Sequence, residues 1–178
     1  EVLAAYPELG CTGEPYKDSD FCVGNEAVFT FLETVLTEVM EMFPSEYIHI
    51  GGDEAGKEHW KTCPKCQQRM AAENISDVDG LQSYMIHRIG KFIASKGRKM
   101  IGWDEILQGG LAPGAVVMSW RGTEGGIEAM AAGHDVIMTP GRYCYLDHAQ
   151  DAPFKEPESI GGYLPLDSVY VYEPFEPK

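Results

Sequence analysis

Apolar residues recur at helical spacing from Glu26 to Phe43 and, more strongly, from Asp79 to Lys96. Between and after them stand short apolar runs with no polar alternation: Tyr47 to Ile50, Lys99 to Trp103, Ala115 to Trp120 and Asp135 to Thr139. The first pattern predicts helices, the second strands buried on both faces. Asn25 is positioned to cap the first helix. Asp79 and Gln82 are spaced like a capping box for the second, and Gly97 supplies its stop. Lys57 to Ala72 reads as a further helical segment, and Thr123 to Ala132 as a short helix closed by Gly133. Near the C-terminus, Val169 to Tyr172 reads as a strand within a loop punctuated by Pro153, Pro157, Pro165, Pro174 and Pro177. Strands alternating with helices predict an α/β fold around a parallel sheet.

Chemistry collects where the strands end. After Tyr47 to Ile50 come Gly51, Gly52, Asp53 and Glu54; after Lys99 to Trp103 come Asp104 and Glu105; Trp120 and Arg121 close the next run, and Tyr143, Tyr145 and Asp147 follow the last. On a straight strand neighbouring side chains point to opposite faces, so Asp53 and Glu54 serve one site only if the backbone turns there. Paired glycines make that turn easy. Two close carboxyls raise the pKa of one and leave the other ionised, the division of labour that glycosidic bond cleavage requires. An isolated Asp-Glu pair is more often a solvated turn, and a single tryptophan more often core. Aromatic faces that pack on sugar rings, beside carboxylates that bind hydroxyls, give the set a different meaning. In a (β/α)8 barrel the active site is built from these strand ends.

The segments LAAYPELGCTG (Leu3 to Gly13), GNE (Gly24 to Glu26), FPSEYIHIGGDEA (Phe43 to Ala55), GWDEIL (Gly102 to Leu107), SWRG (Ser119 to Gly122), YLD (Tyr145 to Asp147) and GGYLPLDSVYVYEP (Gly161 to Pro174) follow one another over nearly the whole chain. As a set they resemble the β-N-acetylhexosaminidases of glycoside hydrolase family 20. The resemblance implies that Glu54 is the general acid and that Asp53 holds and polarises the 2-acetamido group of the substrate. It also implies that the acetamido carbonyl, rather than an enzyme nucleophile, attacks the anomeric carbon to give an oxazolinium intermediate with retention. By the same resemblance Tyr145 bonds the acetamido oxygen, Trp103 and Trp120 enclose the acetamido methyl and the sugar, and Asp147 binds hydroxyls. His49 is assigned to support of the acids, with a core histidine equally open. No cofactor is expected.

A complete barrel takes roughly 250 residues, and the chain has 178. It is therefore expected to be a partial TIM-barrel catalytic domain over residues 1–178, with a Pro-rich loop and strand region over 152–178. Open sheet edges would have to be covered or to pair, which raises self-association. With 28 acidic against 14 basic side chains the net charge is −14, which argues against nucleic acid as a partner. The partner expected is a glycan or amino-sugar oligosaccharide. There is no apolar run long enough for a membrane span, and the composition agrees with an extracytoplasmic location of periplasmic, secreted or lysosomal type.

Five cysteines are present. Cys63 and Cys66 form CPKC with His59 four residues earlier, weak candidates for a metal site. Cys11 and Cys22 flank a loop and could bridge, leaving Cys144 over. Asn74-Ile75-Ser76 is a glycosylation sequon. The alternative to an enzyme is a non-catalytic truncated carbohydrate-binding module, or an interaction module stabilised by metal at CPKC.

Overall fold

The computed structural model describes residues 2–174, and the chain divides into two compact units, 1–116 and 117–178. In the first unit a short helix α1 (Val2–Ala5) precedes α2 (Glu26–Met42), strand β1 (Tyr47–His49), helices α3 (Pro64–Glu73) and α4 (Val78–Ser95), and strand β2 (Lys99–Trp103). The second unit holds β3, which begins at the boundary (Val116–Ser119), then α5 (Glu124–Ala131), β4 (Val136–Met138), α6 (Gly141–Cys144) and α7 (Leu166–Tyr170). β1 pairs with β2 in parallel, Ile48 opposite Met100. β3 pairs with β4 in parallel, Met118 opposite Ile137. Parallel pairs joined through helices are the βα units that the apolar pattern predicts.

Local chemistry explains the boundaries. Asn25 caps α2 by accepting from the Ala27 amide, as expected. For α4 the cap is Asp77, whose carboxylate accepts from the Gly80 amide at 2.8 Å, and not the Asp79 and Gln82 box. Asp79 instead pairs with Lys57 Nζ at 2.7 Å, and Gln82 is buried, its Nε2 donating to the Glu105 carbonyl at 3.0 Å. The local spacing of polar residues fits both frames, and the helix takes the one that frees Gln82 for the core. Gly97 stops α4 at φ +73. The segment from Lys57 to Ala72 is divided: a turn of 3-10 helix (His59–Lys61) precedes α3, because Pro64 has no amide to continue a helix through it and fits the first turn of a new one.

α4 packs against α2 and β2. Its Leu81, Ile86, Ile89 and Ile93 are buried with Phe29 of α2 and with Met100 and Ile101 of β2. Each such side chain stabilises the fold by about 1.5–3 kcal/mol. β1 departs from the two-sided burial expected of it: Ile48 is buried, whereas Tyr47 and His49 are exposed. Side chains alternate along a strand, so Ile48 lies on a covered face of β1 and Tyr47 and His49 on an open one. In the second unit, Gly126 lets α5 lie on β4, since a Cβ there would sit 2.4 Å from Met138 Sδ. The strand expected at Val169 to Tyr172 is a helix, α7, led in by Pro165 and closed by Val171 N–H to Asp167 O at 3.1 Å. A β-branched run forms a strand only beside a partner, and none pairs with it among the described residues. Pro177 lies outside those residues.

Candidate active site

β1 ends at His49, and the chain then turns through Gly51 at φ +74, Gly52 at φ +94 and Glu54 at φ +49. The turn is held from below. The Gly51 carbonyl accepts from the Trp103 amide at 2.9 Å, and a Cβ on Gly52 would come within 2.8 Å of the buried Ile106. Asp53 and Glu54 are thereby lifted off the strand as exposed neighbours. The left-handed conformation of Glu54 is uncommon for a residue with a Cβ and costs of order 1 kcal/mol or more. Such strain concentrates where a side chain has to be aimed.

His49 lies under this turn. Its Nδ1 accepts from the Gly51 amide at 3.0 Å, which places the ring proton of the neutral form on Nε2. Its ring meets Trp103 edge-on with centroids 4.8 Å apart. Desolvation pushes the imidazole pKa below the ordinary 6.5, while the Asp53 charge works in the opposite direction. The histidine is a neutral support for the turn at ordinary pH. Directly after Trp103, Asp104 and Glu105 are buried in a 3-10 turn rather than presented to solvent.

In the second unit, Ser119 ends β3 and organises the residues after it. Its Oγ donates to the Gly122 carbonyl at 2.9 Å and accepts from the Gly126 amide at 3.0 Å, folding the SWRG segment back on itself. The Trp120 carbonyl accepts from the Gly141 amide at 2.9 Å, tying the segment after β3 to that after β4. The Trp120 and Tyr145 rings then stack, with centroids 6.1 Å apart and planes within 7° of parallel. Both are half-buried, and Asp147 is exposed beside them in sequence. A cavity of about 860 Å³ in this unit is lined by Arg121, Ile127, Arg142 and Tyr172 among others. Its lining includes none of Trp120, Tyr145 or Asp147, so it is separate from the aromatic pair.

Residues 2–178 match the glycosyl hydrolase family 20 catalytic domain. The chain belongs to glycoside hydrolase family 20. It is 50% identical to a beta-hexosaminidase of Porphyromonas gingivalis, across 97% of this chain and 23% of the relative. Among solved structures, a beta-N-acetylhexosaminidase from Bacteroides fragilis is 34% identical with a TM-score of 0.77, covering 85% of this chain and 32% of that one. An exo beta-N-acetylglucosaminidase from Vibrio harveyi, in complex with N-acetylglucosamine, is 29% identical with a TM-score of 0.72, over 86% and 24% of the two chains. The chain thus spans less than a third of the length of these relatives. Its fold is α/β, part of the TIM-barrel catalytic domain.

Of the residues expected in a family 20 site, the structure sets His49 against Trp103 beside the turn that carries Asp53 and Glu54 in the first unit, and stacks Trp120 on Tyr145 in the second. The metal candidates fall out differently from expectation. His59 is exposed and takes no part in the thiol group, whereas Cys11 and Cys22 do not bridge each other but join Cys63 and Cys66 as free thiols. There, the Cys66 sulfur lies 3.7 Å from that of Cys11 and 3.7 Å from that of Cys22. Cys144 stands apart from them, as expected. Sequence reasoning missed Asp20. Its carboxylate accepts from the Gly56 amide at 3.2 Å and the Lys57 amide at 3.0 Å, clamping the backbone just beyond Glu54. The only signal was an acidic DSD run before Cys22, which does not say what it will meet more than thirty residues later.

Proposed function

We propose that this chain carries the acid pair and acetamido-binding residues of a β-N-acetylhexosaminidase, removing terminal β-linked N-acetylglucosamine or N-acetylgalactosamine from glycans. Glu54 protonates the departing glycosidic oxygen while the substrate's acetamido carbonyl oxygen attacks the anomeric carbon, giving an oxazolinium ion. Asp53 accepts the acetamido N–H and stabilises the charge that develops there. Tyr145 donates to the acetamido oxygen, Trp103 and Trp120 pack on the methyl and the sugar face, and Asp147 binds hydroxyls. Glu54, now a carboxylate, takes a proton from water as it opens the oxazolinium with net retention. His49 holds the turn.

The observation that carries this reading is the strained turn from Gly51 to Glu54, which spends a left-handed residue on presenting two adjacent carboxylates to solvent at the C-terminal end of a parallel strand. Strand ends of that kind are where barrel enzymes do chemistry. Family membership supports it, as does the N-acetylglucosamine held by the Vibrio harveyi relative. The test is hydrolysis of para-nitrophenyl N-acetyl-β-glucosaminide by the full-length protein, with and without a thiazoline analogue of the oxazolinium. Turnover blocked by the thiazoline is expected. A full-length protein that neither turns over the substrate nor binds the thiazoline would leave a carbohydrate-binding module in its place.

A further inference from the structure

The sulfurs of Cys11, Cys22, Cys63 and Cys66 all lie within 4.8 Å of one another, although the residues are spread over a C-x10-C-x40-C-x2-C pattern. Three of the Sγ pairs, Cys11 with Cys66, Cys22 with Cys63 and Cys22 with Cys66, are each 3.7 Å apart. That separation is far longer than a disulfide bond of about 2.05 Å. It matches a different object. Four thiolates bound tetrahedrally at about 2.3 Å from one zinc ion have sulfurs about 3.8 Å apart. Three of the four residues are buried and Cys11 is half-buried, so the cluster is closed on nearly all sides.

The backbone around the sulfurs is shaped to the same end. Cys63 precedes α3, with Pro64 in its first turn and Cys66 one turn in, the tight CPKC knuckle that lets two sulfurs converge. Across from it, Gly24 passes so close that a Cβ would lie 2.1 Å from the Lys65 carbonyl carbon and 2.5 Å from the Cys66 nitrogen. Only glycine permits that approach. We infer that these four cysteines form a structural tetrathiolate zinc site in the first unit. Four protein ligands leave no open position, so the ion orders the chain and does no chemistry on a substrate. Each thiol gives up its proton to solvent on binding, and the divalent ion offsets two of the four thiolate charges. A tetrathiolate of this geometry suits zinc or iron; zinc fits a closed site beside residues with no electron-transfer role.

The site has a definite structural consequence. Two residues before Cys22, Asp20 clamps the Gly56 and Lys57 amides, and the Phe21 carbonyl accepts from Trp60 Nε1 at 2.9 Å. The zinc would therefore pin the 11–22 loop, and through Asp20 that loop holds the segment following Asp53 and Glu54. Removing the ion is expected to loosen this segment first.

The experiment uses the full-length protein, purified without chelator or added metal. Elemental analysis should find about one zinc per chain, and X-ray absorption at the zinc edge should give four sulfurs at about 2.3 Å. The four thiols should resist a thiol reagent until a strong chelator is added, and amide exchange across residues 53–60 should then quicken. Cys66→Ser should lose the stoichiometric zinc. If that variant does not fold, exchange of cobalt into the wild-type protein decides the matter equally well, through sulfur-to-metal charge-transfer bands and the visible spectrum of a tetrahedral tetrathiolate. Metal-free protein with four freely reactive thiols would overturn the inference, as would a mass showing these cysteines paired in disulfides. Iron in place of zinc would overturn the choice of metal.

Discussion

At the scale of single residues, the acid pair was legible because its chemistry is local: two carboxyls and two glycines adjacent in sequence already imply a turn that presents acids. The turn itself shows how far this goes, since Glu54 and not only the glycines adopts a left-handed backbone. Glu54→Gln in the full-length protein keeps the turn and removes the proposed proton donor. Hydrolysis of a natural disaccharide should fall by about 100- to 10,000-fold with the melting temperature unchanged; full activity would take the acid role away from Glu54. His49 makes a second prediction. Its folded pKa lies below the ordinary 6.5 because of desolvation, so the unfolded chain binds the proton more readily. The histidine's contribution to stability is therefore complete above pH 6.5 and is lost as the pH falls from there through the depressed folded value. His49→Gln should flatten the stability profile over that window, and an unchanged pH slope would show that the ring does not report on folding. Asp20 illustrates the limit of reading residues singly: its partners at Gly56 and Lys57 are set by folding, not by sequence neighbours.

At the scale of elements, periodicity located the helices and strands well and their ends less well. β2 spans the predicted Lys99–Trp103, and α2 begins at the predicted cap. The start of α4 moved to Asp77 because local spacing offers two caps of nearly equal quality, and only packing against Glu105 decides which residue is needed inside. Asp77→Ala should lower the urea midpoint and deprotect the Gly80 amide; no change in either would place the cap elsewhere. The Asp77 carboxyl is held below its usual range by the Gly80 amide, so this contribution is present above pH 3.8 and disappears as the pH falls through the lowered value. The α7 segment was misread as a strand for a related reason. Valine and tyrosine favour extended backbone only where a neighbouring strand covers them, and Pro165 starts a helix equally well. α2, α3 and α4 are further joined by Glu26, whose carboxylate takes hydrogen bonds from Arg88 at 2.8 Å and from Arg69. Arg88 also stacks over Phe29 at 3.7 Å. No sequence pattern announces such a junction, since both arginines lie more than forty residues from Glu26 along the chain.

At the scale of the whole molecule, the net charge of −14 is a property of composition alone and has a testable effect. Like charges repel in the compact state, and salt screens them over a Debye length of about 10 Å at 0.1 M. The melting temperature should rise between low and moderate ionic strength, by about a few degrees; a fall would mean that ion pairs such as Lys57 with Asp79 outweigh the general repulsion. Sequence by itself determined the α/β class, the parallel βα order, the family and the residues at the strand ends, because each of these is carried by short-range periodicity or by motifs of contiguous residues. Tertiary structure alone decided which cap α4 uses, that β1 is covered on one face, that Asp20 clamps the acid turn, and that Cys11 and Cys22 join the CPKC pair while His59 stays out. Those outcomes depend on groups far apart along the chain, and which distant groups meet is settled by packing free energy rather than by any local pattern of residues.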